Sequence, residues 1–351
     1  MASPAPAAPL VIRFGAFGDM VLMIPMLKLL QQRYGQPCEL VSSGGWTTPL
    51  MQRVPACGTV RLLTSRRAPY WFNRSQQELV RWLRHRPAGP VYVFEPDEKS
   101  HWLLRRGGIK PEWICSLRDL PRLPEENILH HAVRLGGLTP AALATSDRAI
   151  AVAAPAASLD ARPTLGEADR RDCRDWLAAK GLSDHDLVLV QPGNKRTMRR
   201  GARQRASNVK YWPEESWGRV VRGVVGSLPR GRVLLCGSPA ERELAEAIKA
   251  AAGCEDVVVA TDELPIPRLL ALQELAHSMI SVDTGPAHAA AAMGCPLVVM
   301  FARIDPQLYA PTPTTAAVRL VTPEPPDAPM TRIAPETVVA AWRALPPRVP
   351  A

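Results

Sequence analysis

The sequence has no long uninterrupted hydrophobic run. No window approaches the roughly 18 consecutive apolar residues that a membrane-spanning helix requires, so we expect any membrane contact to be peripheral. Residues 1–9 are small residues and proline, without the positive flank and apolar stretch of a secretory signal. We therefore expect a frayed N-terminal tail and no secretory leader.

The seven cysteines are scattered and include no C-x-x-C pair. This spacing provides neither a zinc-binding template nor a disulfide framework. A reduced compartment, the cytoplasm, fits this pattern best.

The composition excludes a disordered chain, because 46% of the residues are apolar and 22% are charged. A length of 351 residues favours two domains over one. The net charge of +10 predicts an anionic partner. The charge alone does not distinguish nucleic acid, anionic lipid and a phosphorylated substrate.

Short apolar segments rich in β-forming residues alternate with helical stretches along the chain. The stretch 141–163 between two such series is rich in Ala, Pro, Ser and Asp, as interdomain connections are. We therefore predict an α/β protein of two doubly wound, Rossmann-like domains, 1–160 and 161–351, that face a central cleft. The last helix could pack back on the first domain. Strands are predicted at 10–14, 39–42, 59–63, 91–95, 112–115, 187–191, 232–236, 256–260, 278–282 and 297–301, with a first helix over 20–34.

Asp19 ends a glycine-bearing turn after the first predicted strand, in the segment Arg13-Phe-Gly-Ala-Phe-Gly-Asp19. Gly15 and Gly18 permit a tight turn, but their spacing is not the G-x-G-x-x-G of a dinucleotide site. This spacing therefore argues against an NAD-binding site. Asp19 would lie at a helix start, where it could cap the helix or act as a general base.

The segment Ser281-Val-Asp-Thr-Gly-Pro-Ala-His288 follows an apolar strand and precedes an Ala-rich stretch. Its proline suits a first helical turn, so the amides around Thr284 and Gly285 would form an anion site that fits a diphosphate. The alternative is an ordinary cap made by Asp283 or Thr284, with His288 packed against the sheet.

The loop 194–209 and the residue that ends it are basic, without one acidic residue. Directly after a strand, such a loop could clamp phosphates. It could equally be a solvated, mobile loop, and what it binds stays open. Its basic members are Lys195, Arg196, Arg199, Arg200, Arg203, Arg205 and Lys210.

Glu241 follows another predicted strand, in the segment Cys236-Gly-Ser-Pro-Ala-Glu241. An acidic residue in this place can accept ribose hydroxyls. It could equally be a first-turn carboxylate that complements the helix dipole.

Basic and aromatic residues are interleaved in segment 61–86, which contains the single acid Glu78. This mixture suits a peripheral membrane surface, a phosphorylated glycolipid or nucleic acid. Residues 75–86 predict an amphipathic helix whose arginines could be merely solubilising. Five of the arginines form a cluster with Trp71 and Trp82, namely Arg66, Arg67, Arg74, Arg81 and Arg84.

In this order, the segments resemble glycosyltransferase family 9, the bacterial lipopolysaccharide heptosyltransferases. Segment 12–25 is similar to that family's first strand, glycine turn and helix. Val282-Asp-Thr-Gly-Pro-Ala-His288 resembles its donor-binding signature more specifically. Weaker similarities are Pro192-Gly193, Lys210-x-Trp-Pro213 and the loop 237–241. The loop before Lys210 is longer and more basic than the family's usual loop.

The resemblance implies a GT-B fold with an N-terminal acceptor domain and a C-terminal donor domain. The arginine cluster of segment 61–86 belongs to the first domain, so we assign Arg66, Arg67, Arg74, Arg81 and Arg84 to the acceptor side. The resemblance also implies an inverting transfer that needs no metal or other cofactor. By this resemblance Asp19 is the catalytic base, and the donor is held by a second group of residues. That group comprises Lys210 at the phosphate, Glu241 at the ribose, Asp283 at the sugar, and Thr284 with Gly285 at the diphosphate, to which we add Lys195 and His288.

The sequence thus predicts a glycosyltransferase that moves heptose from ADP-heptose onto a lipopolysaccharide-core or related glycan acceptor. Its expected partners are a nucleotide-sugar donor and an anionic glycolipid or oligosaccharide, met at the cytoplasmic face of the inner membrane. One alternative is another sugar-nucleotide enzyme of the same fold, with a different donor or an epimerase activity. A nucleic-acid-binding protein is less expected because no reader motif is present.

Overall fold

A computed structural model describes residues 7–66, 68–144, 158–194, 208–312 and 316–346. The chain divides into two compact units, Met1–Thr164 and Leu165–Ala351, a boundary just after the division predicted at residue 160. Within the described ranges, none of the helices combines the length and apolar character needed to cross a bilayer.

Unit 1 contains a five-stranded, wholly parallel sheet in the order β3-β2-β1-β4-β5. Helices follow or connect these strands. The strands are β1 Leu10–Ile12, β2 Cys38–Ser42, β3 Cys57–Leu62, β4 Val91–Val93 and β5 Ile114–Ser116. The helices are α1 Phe17–Leu22, α2 Ile24–Tyr34, α3 Thr47–Met51, α4 Arg74–His85, α5 Glu98–Arg106, α6 Ile128–Gly137 and α7 Ala141–Ala144.

Both faces of this sheet are covered. On one face, Ile12 and Val93 pack in a buried cluster with Leu79 and Leu83 of α4 and Leu103 of α5. On the other face, Tyr92 donates from its hydroxyl to the Leu138 carbonyl after α6 and lies 2.8 Å from the Tyr34 hydroxyl of α2. Alternate residues of a strand point to opposite faces of the sheet, so a strand that is covered on both faces needs apolar residues at almost every position. The short, almost wholly apolar segments of the sequence therefore predict this sheet.

The predicted single helix over 20–34 is wrong in one respect: the structure has two helices, α1 and α2, that meet at Met23. Pro25 occupies the first turn of α2. Proline has no N–H to donate to the preceding turn and its ring clashes there, so the ladder of hydrogen bonds restarts at this point.

Unit 2 contains a six-stranded parallel sheet in the order β11-β10-β9-β6-β7-β8. The strands are β6 Asp186–Gln191, β7 Gly231–Leu235, β8 Val257–Val259, β9 Ser278–Val282, β10 Leu297–Met300 and β11 Val318–Val321. The helices are α8 Glu167–Ala179, α9 Glu214–Val225, α10 Arg242–Ala252, α11 Ile266–Leu275, α12 Gly285–Ala292, α13 Pro306–Tyr309 and α14 Pro335–Arg343.

The last helix, α14, packs within unit 2. Its Val338 and Trp342 belong to the buried cluster that includes Val188, Ile280 and Trp217. The Trp342 indole N–H donates to the Ser278 hydroxyl at 2.8 Å. This helix therefore covers the sheet of its own unit, whereas the sequence analysis allowed it to pack back on the first domain.

The strand order reverses at one place in each sheet. In unit 1 the chain adds β2 and β3 on one side of β1 and β4 and β5 on the other, and in unit 2 it adds β7 and β8 on one side of β6 and β9 to β11 on the other. The loops at such a reversal point leave in opposite directions and open a crevice at the carboxyl ends of the strands, where ligands bind. The predicted α/β fold class is confirmed. Ligand-binding sites are expected at the two reversal points.

Candidate functional site

Charged side chains meet at the reversal point of unit 1, where β1 and β4 end. Arg13 follows β1, and its Nη2 lies 2.9 Å from Oδ1 of Asp19 in α1. Its Nη1 donates to the Phe94 carbonyl at 2.9 Å and lies 3.4 Å from Oε1 of Glu95, just after β4. The guanidinium also lies over the Phe94 ring. Asp19 is thus held by an arginine that is itself fixed to the neighbouring strand.

Asp19 also caps its helix. Its Oδ2 accepts the Ala16 N–H at 2.7 Å, which is the side-chain-to-backbone bond of a third-position helix cap. Gly15 makes this arrangement possible, because a Cβ there would lie 2.4 Å from the Asp19 Cβ. The cap predicted as an alternative is therefore present. It leaves the carboxylate about one-third exposed, so capping and a role as a base are compatible.

Glu95 is the central member of this group, and the sequence analysis missed it. It is buried and accepts the Phe14 N–H at 2.7 Å and Nη1 of Arg66 at 2.9 Å. Arg66 also lies 3.3 Å from Oδ2 of Asp97. A signal was available, because two carboxylates directly follow an apolar strand in Phe94-Glu95-Pro96-Asp97.

The arginines predicted for an acceptor side occupy different surroundings. Arg66 joins the carboxylates at the end of β4, whereas Arg74 forms an exposed pair with Glu78 on α4. Arg81 and Arg84 are exposed on the same helix, where Nε of Arg84 donates to the Arg106 carbonyl. Arg67 lies outside the described residues. The structure therefore groups Arg66 with Asp19 and leaves the α4 arginines on a solvent-facing surface.

A short turn just before α4 exposes two aromatic rings. It spans Tyr70–Phe72, and we call it the aromatic turn. The Trp71 and Phe72 side chains are exposed by 72% and 88%, unusually high values for such large apolar groups. The Arg106 guanidinium lies over the rings of Tyr70 and Trp71. The turn thus presents adjacent aromatic rings together with cationic groups.

In unit 2, Lys210 and His288 flank the Asp283 carboxylate at the end of β9. The Lys210 ammonium pairs with Oδ2 of Asp283 and donates to its carbonyl at 2.8 Å. Nε2 of His288 lies 3.8 Å from Oδ1 of Asp283. Asp283 and His288 are buried. Three predicted donor residues therefore form one contact group.

The same group adjoins the N-terminus of α12. Thr284 is the residue before the helix, and its hydroxyl lies 3.0 Å from the Ser281 hydroxyl. Within the part of the chain that the structure describes, Thr284 makes no side-chain cap bond, and Asp283 is turned to Lys210. The ordinary cap considered as an alternative is thus not formed, and the amides that begin with Gly285 remain the groups suited to an anion.

Glu241, after β7, is connected to this group through Gln191. Its Oε2 accepts both the N–H and the hydroxyl of Ser238 at 2.7 Å, which completes a capping box on the short turn Pro239–Glu241. Glu241 directly precedes α10, in agreement with the alternative of a carboxylate that complements the helix dipole. Its Oε1 accepts from Nε2 of Gln191 at 3.3 Å. A Cβ on Gly193 would lie 2.4 Å from that oxygen, so the glycine permits close approach of the carboxylate to the backbone.

Gln191 connects the two parts of the unit 2 group, and the sequence analysis gave it no role. Its carbonyl accepts a long bond, 3.5 Å, from the Ser281 hydroxyl, which contacts Thr284. The predicted residues of the described donor group thus lie together at the ends of β6, β7 and β9, at the reversal point. Lys195 lies outside the described residues.

Two cysteines in or next to strands of the two sheets do not provide a nucleophile. Burial raises the pKa of the Cys236 thiol, directly after β7, to about 12. Burial likewise raises the pKa of Cys115 in β5 to about 12. A thiol acts as a nucleophile only as a thiolate, so neither is suited to covalent catalysis at neutral pH.

One aspartate pair in the sequence has the D-x-D spacing by which many glycosyltransferases hold a metal, and the sequence analysis overlooked it. Asp184 and Asp186 are exposed at the amino end of β6, the opposite edge of the sheet from the donor group. Among the described residues, no group of three or more His, Cys, Asp or Glu side chains is arranged to hold a metal ion.

Comparison with known families decides the class of protein. Residues 183–335, most of unit 2, match the model of glycosyltransferase family 9 (heptosyltransferase). The protein is a glycosyltransferase, and its resemblance to family 9 is confirmed. The matched residues include the described members of the donor group. No curated protein sequence matches the chain.

Solved structures with the same fold include three glycosyltransferases. The E. coli ADP-heptose lipopolysaccharide heptosyltransferase II has a TM-score of 0.73 at 18% identity, over 96% of this chain and 98% of that one. A family 9 glycosyltransferase from Veillonella parvula gives 0.72 at 16% identity, over 97% and 98%. E. coli heptosyltransferase WaaC, solved with ADP, gives 0.65 at 18% identity, over 95% and 98%. These similarities confirm the predicted GT-B fold class.

Proposed function

We propose that this glycosyltransferase transfers heptose from ADP-heptose to a lipopolysaccharide-core or related anionic glycan, with inversion at the transferred carbon and without a metal. The observation that carries the proposal is the contact group of Lys210, Asp283 and His288 at the start of α12. Gln191 connects this part of the site to Glu241. The choice of ADP-heptose is supported by WaaC, which was solved with ADP and with ADP-2-deoxy-2-fluoro heptose.

On the donor side, the leaving diphosphate gains negative charge as the glycosidic bond breaks. Amides at a helix N-terminus and a lysine ammonium can stabilise that charge, because both are fixed before the reaction. The unit 2 group contains both, because the Lys210 ammonium pairs with Asp283 and the first amides of α12 follow closely along the chain. Glu241 would accept the ribose hydroxyls through Oε1, which faces Gly193.

On the acceptor side, inversion requires a base that takes the hydroxyl proton as the sugar is attacked from the opposite face. Asp19 is our candidate. The Arg13 guanidinium, 2.9 Å from the Asp19 carboxylate, holds it in place at the end of β1. Arg66, about one-third exposed beside this group, supplies a cation for an anionic acceptor.

The proposal places the protein at the cytoplasmic face of the inner membrane, where a glycolipid acceptor would be presented. The aromatic turn and the exposed arginines of α4 support this, since rings at a bilayer interface and cations near anionic headgroups both favour peripheral binding.

A donor screen by titration calorimetry tests the proposal. ADP-heptose should bind with a lower Kd than UDP-, GDP- and other ADP-sugars, and EDTA should not change this order. Tighter binding of a UDP-sugar, or its conversion to an epimer without acceptor, would favour the other sugar-nucleotide enzymes of this fold. Tight, salt-sensitive binding of DNA or RNA would favour the nucleic-acid alternative.

A further inference from the structure

A buried carboxylate, Glu95, links two separate strands of unit 1 at their reversal point. It follows β4, yet it accepts the Phe14 N–H from the loop after β1 at 2.7 Å. Its side chain is only 8% exposed. A carboxylate buried to this degree costs free energy unless its oxygens are fully bonded, so its partners define its role.

Those partners are the backbone of the Asp19 loop and two arginines. Oε1 accepts the Phe14 N–H and faces Nη1 of Arg13 at 3.4 Å, and Oε2 accepts from Arg66 at 2.9 Å. Arg13 carries the connection further, because its other terminal nitrogen, Nη2, lies 2.9 Å from Asp19. A planar guanidinium fixes the relative positions of the groups it bridges, which an ammonium cannot do.

Glu95 therefore controls the position of Asp19 in two ways. It fixes the loop of residues 13–16, whose Ala16 N–H donates to Asp19. It also restrains the guanidinium that pairs with Asp19. We propose that Glu95 is a positioning residue for the base Asp19, acting through Arg13 and Phe14, while it holds Arg66 beside the same carboxylate. The inference rests on the proposed function of Asp19 as the base.

Asp97 provides a matched control on the same loop. It is also a carboxylate paired with Arg66, at 3.3 Å, but its other bonds go to the N–H and hydroxyl of Ser100 at the start of α5. Asp97→Asn removes one negative charge beside Arg66 and keeps an oxygen that can cap the helix. Glu95→Gln removes the same charge beside Arg66, keeps an acceptor for the Phe14 N–H and weakens the restraint on Arg13.

The experiment measures kcat, the donor KM and thermal unfolding for both variants. Glu95→Gln should lower kcat by roughly 10- to 100-fold, the cost of a small misplacement of a reacting group, with donor KM unchanged. Asp97→Asn should stay close to wild type. Arg13→Lys keeps the charge but cannot bridge Glu95 and Asp19, so it should reproduce the loss of kcat even if Glu95→Gln proves too unstable to assay.

A double-mutant cycle with Asp19→Asn separates this inference from the proposed function. If Glu95 acts through Asp19, adding Glu95→Gln to Asp19→Asn should cause no further loss of kcat. Wild-type kcat in both Glu95→Gln and Arg13→Lys, or equal losses in Glu95→Gln and Asp97→Asn, would overturn the positioning role while leaving the base intact. Near-normal turnover of Asp19→Asn would instead overturn the assignment of the base itself.

Discussion

Two glycines, Gly15 and Gly193, allow carboxylates to lie directly against the backbone. A Cβ on either would lie 2.4 Å from an atom of Asp19 or Glu241, well inside normal contact distance. Each glycine follows a strand beside its sheet's reversal point. The role of both glycines is therefore steric. Because they have no side chain, the neighbouring acidic side chain can occupy the space that their own Cβ would fill.

Gly193→Ala tests the donor role of Glu241 without altering Glu241. The added methyl must displace Oε1 of Glu241, so we expect ADP to bind about 10-fold more weakly, or ~1.4 kcal/mol. Titration calorimetry measures the change. Gly45→Ala, where a Cβ meets nothing within 4 Å, is the control and should bind ADP normally. Unchanged affinity in Gly193→Ala would remove Glu241 from the nucleotide site.

Lys210→Ala should weaken ADP binding by about 1.5–3 kcal/mol, typical of a hydrogen bond to a charged group. It should also lower the thermal midpoint, because it leaves the buried Asp283 carboxylate without its ammonium partner. Lys210→Arg keeps the charge and should retain stability better than Lys210→Ala. If calorimetry finds the same Kd for Lys210→Ala and wild type, the phosphate is held elsewhere, and Lys195 and Arg196 are next to be tested.

At the scale of elements, the aromatic turn and α4 form a surface suited to an anionic bilayer. Replacing both Trp71 and Phe72 by serine should reduce binding to vesicles containing phosphatidylglycerol by roughly 10-fold, because the exposed rings lose their interfacial burial. Vesicle co-sedimentation measures this. Leu275→Ser, a matched change at a half-exposed apolar residue of α11, should have no effect.

Salt and lipid charge check the same prediction. Binding of the wild type should weaken as salt screens the arginines of α4, and it should be weaker to neutral phosphatidylcholine vesicles. Equal binding of the serine double variant and the wild type would show that this surface does not meet a membrane. Loss of donor affinity in that variant would show that the turn supports the fold.

The sequence predicted the buried strands well, because strands covered on both faces are almost continuously apolar. It missed β11, a four-residue strand in which Arg319 and Leu320 are exposed. It also joined α1 and α2, because the apolar spacing continues through Pro25. Strands are thus visible in the sequence where apolar residues cluster, whereas a local break such as the one at Pro25 depends on backbone geometry.

The candidate sites were also predicted only in part, because the sequence shows local patterns but not contacts between distant residues. Asp19, Asp283 and Glu241 are close in sequence to glycine turns, which identify them. Glu95 reaches Arg13 across 82 positions and Lys210 reaches Asp283 across 73 positions. The order of the strands in each sheet brings such residues together, and that order is not evident from the sequence.

At the scale of the whole molecule, the proposed mechanism assigns the stabilisation of the leaving diphosphate to protein groups alone. Excess EDTA should therefore leave sugar transfer unchanged, measured as ADP release in the presence of acceptor. Protein dialysed for a long time against EDTA is assayed in the same way and should release ADP at the same rate. A loss of activity that magnesium restores would overturn metal independence.

The most direct test of the account is the turnover of Asp19→Asn with ADP-heptose and a lipopolysaccharide-core acceptor. The substitution is nearly isosteric and lies outside the donor group, so the variant should fold and bind ADP as the wild type does. Its kcat should fall by roughly 100- to 10,000-fold, the usual contribution of a positioned base. Near-normal turnover together with normal ADP binding would contradict the account and leave Asp19 as a helix cap.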